Sequence, residues 1–161
     1  MSKILTSQEK ILIWENSNFT ITTPIIPHVD KFDGGHLIVS PKIPVQSIIY
    51  LNDNLLLEMY KLVGFCEKAL ISTLGKQQIE IPFTNNQDNG NWAVLNGKNK
   101  SLHIHVYGRA VNSVNQKFGQ ALFCPDPNTT FYDKNQSLTQ LDIDEIRMFV
   151  EINLLIKKLI K

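Results

Sequence analysis

Ser101-Leu102-His103-Ile104-His105-Val106-Tyr107-Gly108-Arg109 is the segment with the most chemical capacity in the chain. Successive side chains of a strand point to opposite faces. Leu102, Ile104 and Val106 then form an apolar face for a core. Ser101, His103, His105 and Tyr107 share the other face. Two imidazoles side by side on a polar face do little for packing. Each carries a nitrogen that titrates near neutral pH and can serve as nucleophile, acid, base or ligand.

The remaining histidines are His28 and His36. His36 follows Gly34-Gly35 and opens an apolar run, and glycine lets a backbone approach a ligand closely. Three histidines on strand ends, with a glycine turn beside one of them, make a candidate site.

Short β-rich runs and two amphipathic helices must position these residues. Strands are expected at 11–14, 19–23, 36–40, 79–83 and 102–107. The first two read as a hairpin across Glu15-Asn16-Ser17-Asn18. Leu55, Met59, Leu62, Val63, Cys66 and Leu70 recur at helical spacing within 53–73, and Asn52 or Asp53 can cap that helix. Ile143, Ile146, Phe149, Val150 and Leu154 predict a second helix over about 139–160. The Asn- and Gly-rich stretch 84–100 reads as a loop, and 111–138 as irregular. The pattern predicts an α+β fold with an antiparallel sheet.

The 161 residues suit one domain, 1–161, with its core at about 11–110 and a C-terminal extension. A formal net charge of +1 supplies no field for nucleic acid or anionic lipid, so an anionic ligand needs a local site. Cys66 and Cys124 make no disulfide framework and read as free thiols of a reducing compartment. No apolar run approaches the roughly 20 residues of a membrane span. The first ten residues lack the apolar core of a signal peptide. A cytoplasmic protein is expected.

His103-Ile104-His105-Val106-Tyr107-Gly108-Arg109 resembles the latter part of the histidine triad (HIT) signature, His-x-His-x-His-x-x followed by Gly or Pro and Arg. Gly34-Gly35-His36-Leu37-Ile38-Val39-Ser40-Pro41-Lys42 is similar to that family's upstream segment, with a long helix and a strand between the two. The resemblance implies a sheet of about five strands, one long central helix and a C-terminal helix. It implies a hydrolase acting at the α-phosphate of a nucleotide conjugate: a dinucleoside polyphosphate such as diadenosine polyphosphate, a phosphoramidate or an adenylylated amine.

By the same resemblance, His103 is the nucleophile that becomes nucleotidylated, a phosphohistidine intermediate. His105 helps to hold the phosphate, and His36 joins their hydrogen-bonded cluster. His28 falls where the family contacts ribose, with Asp30 as the nearby alternative. Asn86, beside Asn85 and Gln87, can donate to ribose or phosphate. Arg109 can reach phosphate, although solvent serves an exposed arginine equally well. Cofactor and metal are not expected, and a homodimer is.

Two departures matter. Ser101 stands where the first triad histidine would be, and Asn96-Gly97-Lys98 replaces the usual Gly-Gln-Ser or Gly-Gln-Thr. Serine carries no positive charge, so Lys98 is the expected replacement cation at the phosphate. Two other readings stay open. One is a member that binds a nucleotide without turning it over. The other is a metal-dependent enzyme built on His36, His103 and His105.

Overall fold

The computed structural model of the protein describes residues 9–88, 101–126 and 129–159. Runs of β-branched and apolar residues give the first three strands, β1 (Lys10–Glu15), β2 (Phe19–Pro24) and β3 (His36–Pro41). Asn16 makes the turn between β1 and β2. Its Oδ1 accepts from the backbone N–H groups of Asn18 and Phe19, at 2.9 and 2.8 Å. Pro24 and Pro41, which lack a ladder donor, close β2 and β3.

Helix α1 (Asp53–Gly75) starts where the Asn52 side chain accepts from the Leu55 N–H at 3.0 Å. Helix α2 (Gln140–Leu159) starts with a reciprocal cap. Asp142 accepts from the Thr139 N–H at 2.7 Å, and Thr139 Oγ1 accepts from the Asp142 N–H at 3.3 Å. Among the described residues no helix is long and apolar enough to cross a membrane.

The last two strands depart from the sequence expectation. β4 is Phe83–Asp88, nearly all of it within the Asn-rich stretch read as a loop, and of the strand expected at 79–83 only Phe83 is in a ladder. Ile79 and Ile81 are buried in the core without entering a ladder. β4 can be polar because it lies at the end of the sheet order, where one edge and most side chains meet solvent. β5 is Ile104–Arg109, two residues later than expected at both ends. Leu102 is fully buried but precedes the strand, its N–H held by the Val45 carbonyl at 2.6 Å.

The five strands form one antiparallel sheet in the order β1-β2-β3-β5-β4. α1 lies across β3 and β5, and α2 packs on α1 and β1. The core takes Phe19 and Ile21 from β2, Leu37 and Val39 from β3, and Ile104 and Val106 from β5. Burying one such side chain contributes roughly 1.5–3 kcal/mol. This assignment of one face to the helices leaves the other face of β3 and β5 to His36, Ile38, His105, Tyr107 and Arg109.

Candidate active site

Antiparallel register brings the histidines together. His36 pairs with Tyr107 and Ile38 with His105, so these four side chains stand in two adjacent rows on the face away from α1. The close approach of β3 to β5 depends on glycine. A Cβ on Gly34 would meet the Gly108 carbonyl carbon at 2.2 Å, and Gly34 has φ +130°.

His36 is 1% exposed and His105 is 6% exposed. The His36 and His105 rings lie 5.0 Å apart, and the His28 ring lies 5.0 and 5.5 Å from them. His36 Nε2 is 2.7 Å from His105 Nδ1. The Tyr107 hydroxyl and His28 Nδ1 share a hydrogen bond of 2.9 Å. His103, just before β5, sets its ring edge-on to His105 at 4.8 Å.

Burial first, and then the neighbouring imidazoles and Lys10, hold His36 well below the usual histidine range and His105 down to about 2. Burial and His103 lower His28 in the same direction. The buried pair is therefore neutral at pH 7, and its tautomers follow from its partners. His36 Nδ1 accepts from the His28 backbone N–H at 3.2 Å. The His36 proton is on Nε2 and is donated to His105 Nδ1. That leaves the His105 proton on Nε2. His103 Nδ1 donates to the Ser101 carbonyl at 2.8 Å, which leaves the lone pair of His103 on Nε2.

The remaining residues singled out from sequence divide sharply. Ser101 is exposed, and it is its carbonyl that meets His103. Ser101 and His103 both precede β5, so strand alternation does not set their directions as expected. Asn86 lies on the opposite face: its Nδ2 donates to Glu67 Oε1 on α1. Asn85 and Gln87 instead stand beside Tyr107 and His105 on the histidine face. Asp30 is spent on structure, accepting from Phe32 N at 2.7 Å and Gln136 N at 2.6 Å. Arg109 is 1% exposed, not solvated, and donates from Nη2 to the Lys117 and Gln120 carbonyls at 2.8 and 2.9 Å. Lys98 lies outside the described residues. The three imidazoles whose nitrogens converge, within 4.8 Å of one another, are His28, His36 and His105, whereas the metal reading had His103 in place of His28. In that trio the His36 Nε2 proton is already engaged with His105.

Sequence reading missed several contributors. Lys10 pairs with Pro24 and stands at the edge of the histidine face, close enough to lower both His36 and His105. Tyr107 belongs to the cluster, and burial, with Cys124 and Tyr132 nearby, pushes its hydroxyl far above the usual range. Gln116 and Asn135 grip the loop that carries His28. Tyr107 was legible as the next outward position of β5. The other two lie in a segment without periodicity.

The sequence matches no protein-family model and no curated protein. Solved structures do match. A histidine triad protein from Bradyrhizobium japonicum aligns over 94% of this chain and 96% of its own, at 12% identity and a TM-score of 0.58. A zinc-bound histidine triad family protein from Mycobacterium smegmatis aligns over 90% and 86%, at 16% identity and a TM-score of 0.55. A uridylyltransferase aligns over 92% of this chain but 44% of its own, at 14% identity and a TM-score of 0.55. These likenesses, with the five-stranded antiparallel sheet and its two helices, show that the chain has the histidine triad fold.

Proposed function

We propose that the protein processes nucleotides, hydrolysing a conjugate at its α-phosphate through a nucleotidyl-His103 intermediate. The observation that carries this reading is the hydrogen bond from His103 Nδ1 to the Ser101 carbonyl, which leaves a lone pair on Nε2 beside His105. A neutral imidazole is not repelled by phosphate oxygens, and it is a good nucleophile. His103 Nε2 forms the N–P bond as the bond to the leaving group breaks. The leaving group departs with the bonding electron pair, and takes a proton from solvent or from a neighbouring donor. Water then attacks the same phosphorus, the N–P bond breaks, and the imidazole is regenerated.

His105 supports the first step. Its Nε2–H is a preorganised donor in a region shielded from water, where such a donor stabilises developing charge. His36 holds His105 in that tautomer. Ser101 replaces a residue that could carry charge. Lys98, expected from sequence as the compensating cation, remains a candidate, and Lys10 is a second cation at the edge of the face. Asn85 and Gln87 fit the role of ribose or phosphate donors better than Asn86, because of the face on which they stand. A homodimer and a cytoplasmic setting are part of the same reading.

The test is rapid mixing with a dinucleoside polyphosphate or a nucleoside phosphoramidate, followed by acid-free denaturation and mass spectrometry. A nucleotidyl mass on the peptide carrying His103, absent from His103→Ala, is the expected result. Near-normal turnover by His103→Ala would sink the assignment. Ser101 favours a second reading, a binder without turnover, for which the same experiment gives nucleotide retention but no adduct.

A further inference from the structure

The tautomer of His105 is set by a chain of hydrogen bonds that begins far along the sequence, in the segment read as irregular. We propose that Asn135 is a positioning residue for the histidine cluster, acting through the Pro27–His28 peptide. Asn135 Nδ2 donates to the Pro27 carbonyl at 2.8 Å. The N–H of that same peptide belongs to His28 and donates to His36 Nδ1. In a trans peptide the C=O and N–H point in opposite directions. Asn135 thus grips one side of the plane and His36 is oriented by the other. His36 Nε2–H then donates to His105 Nδ1 at 2.7 Å.

The next peptide is gripped too. The second Nδ2 proton of Asn135 reaches the His28 carbonyl at 3.3 Å, and Gln116 Nε2 reaches it at 3.1 Å. Gln116 is 1% exposed and has no slack. Its side chain also exchanges hydrogen bonds with the Phe123 backbone, and its own N–H donates to Asp33 Oδ2 at 2.8 Å. Asp33 collects the N–H groups of Val114 and Asn115 as well, so this loop is fastened to the turn just before β3. Hydrogen bonds in series polarise one another. A donor at the Pro27 carbonyl strengthens the His28 N–H as a donor and thereby favours the His36 tautomer with its proton on Nε2.

The consequence for turnover rests on the hydrolase reading, but the tautomer does not. The experiment uses the full chain labelled with 15N in its imidazoles, with nitrogen–carbon-bound-proton correlation spectra recorded near neutral pH. Wild type should show His36 and His105 each with Nε2 protonated and Nδ1 bare. Asn135→Ala should move His36 towards a tautomer mixture while the amide spectrum stays dispersed. Asn135→Asp keeps the shape but sets an anion against the Pro27 carbonyl, and should shift the mixture further. Asn135→Ser, which retains a shorter donor, is read in place of either variant that fails to fold. If turnover is present, the transfer step should slow by about tenfold, 1.4 kcal/mol, with little change in KM. A wild-type His36 with its proton on Nδ1, or unchanged His36 tautomers in a folded Asn135 variant, overturns the proposal. Correct tautomer shifts without any nucleotide turnover would count against the hydrolase reading and leave the positioning role standing.

Discussion

His36 Nε2 and His105 Nδ1 share a 2.7 Å hydrogen bond between two imidazoles that are each almost fully buried. Neither ring can take a second proton without losing that bond or placing a charge against the other. His36→Phe keeps an aromatic ring of similar girth but leaves His105 Nδ1 unpartnered. It is expected to lower stability by roughly 1–3 kcal/mol, the cost of a buried unsatisfied group, and to slow turnover at least about tenfold. Urea unfolding and steady-state rates measure the two effects separately.

His103 and His105 should separate function from stability. His103 is half-buried and outside the strand, whereas His105 sits in the cluster. His103→Ala should leave the unfolding midpoint nearly unchanged, within about 0.5 kcal/mol, while turnover falls by roughly 10⁴ or more. His105→Ala should reduce both. A His103→Ala protein that is strongly destabilised would contradict the peripheral placement of His103.

Stability should fall as the pH drops below the usual histidine value of 6.5. The folded state keeps His36 and His105 neutral, while the unfolded chain takes up protons as soon as the pH passes that value. The unfolded state therefore binds more protons, and the slope approaches about 1.4 kcal/mol per pH unit for each residue. Between about pH 7.5 and about pH 5.5 the two together should remove roughly 2–3 kcal/mol. Equal unfolding free energies at those two pH values would refute the neutral pair.

Lys31 and Asp142 form a buried ion pair of 2.7 Å that fastens the turn before β3 to the start of α2. Burial alone would raise the Asp142 carboxyl, but hydrogen bonds from Lys31, Thr139 and Gln77 outweigh it and hold the group below its ordinary value of 3.8. Its contribution is present above that value and is lost as the pH falls through the lower folded one, so it does not overlap the histidine window. Asp142→Ala leaves Lys31 charged and unpaired, and should cost about 3–5 kcal/mol in chemical denaturation. A loss below about 1 kcal/mol would mean that the pair contributes little.

Two glycines should respond in opposite directions to the same substitution. Gly34→Ala forces a Cβ into the Gly108 carbonyl and must hold φ +130°, so β3 and β5 would have to separate. Severe destabilisation and loss of activity are expected. Gly64, inside α1, has nothing within 4 Å of the point where a Cβ would stand, and Gly64→Ala should stabilise by about 0.5–1 kcal/mol. Thermal unfolding of the two variants gives the comparison.

The alternation of Ile104 and Val106 with His105 and Tyr107 determined from sequence alone which side of β5 meets the core. The 3- and 4-residue spacing within Asp53–Gly75 likewise marked α1 without any tertiary context. Hydrophobic periodicity is a local property, and these elements turn one apolar face to the core. The tertiary structure decided what local pattern does not carry. Polar β4 is a strand because β5 offers it a ladder, not because Asn85, Asn86 or Asp88 favour one. That pairing turns Asn86 to Glu67 and Asn85 to the histidines, a choice of face that depends on register. Arg109 and Asp30 are charged residues that sequence reads as ligand contacts, yet the fold uses both on backbone groups of the C-terminal segment. His28 and Asn135 are 107 residues apart, and the hydrogen bond between them exists only once the sheet and the later loop are both in place. Burying the backbone of a loop leaves donors and acceptors that must be paired by whatever side chain is near, and nothing in a linear pattern reports which one that is.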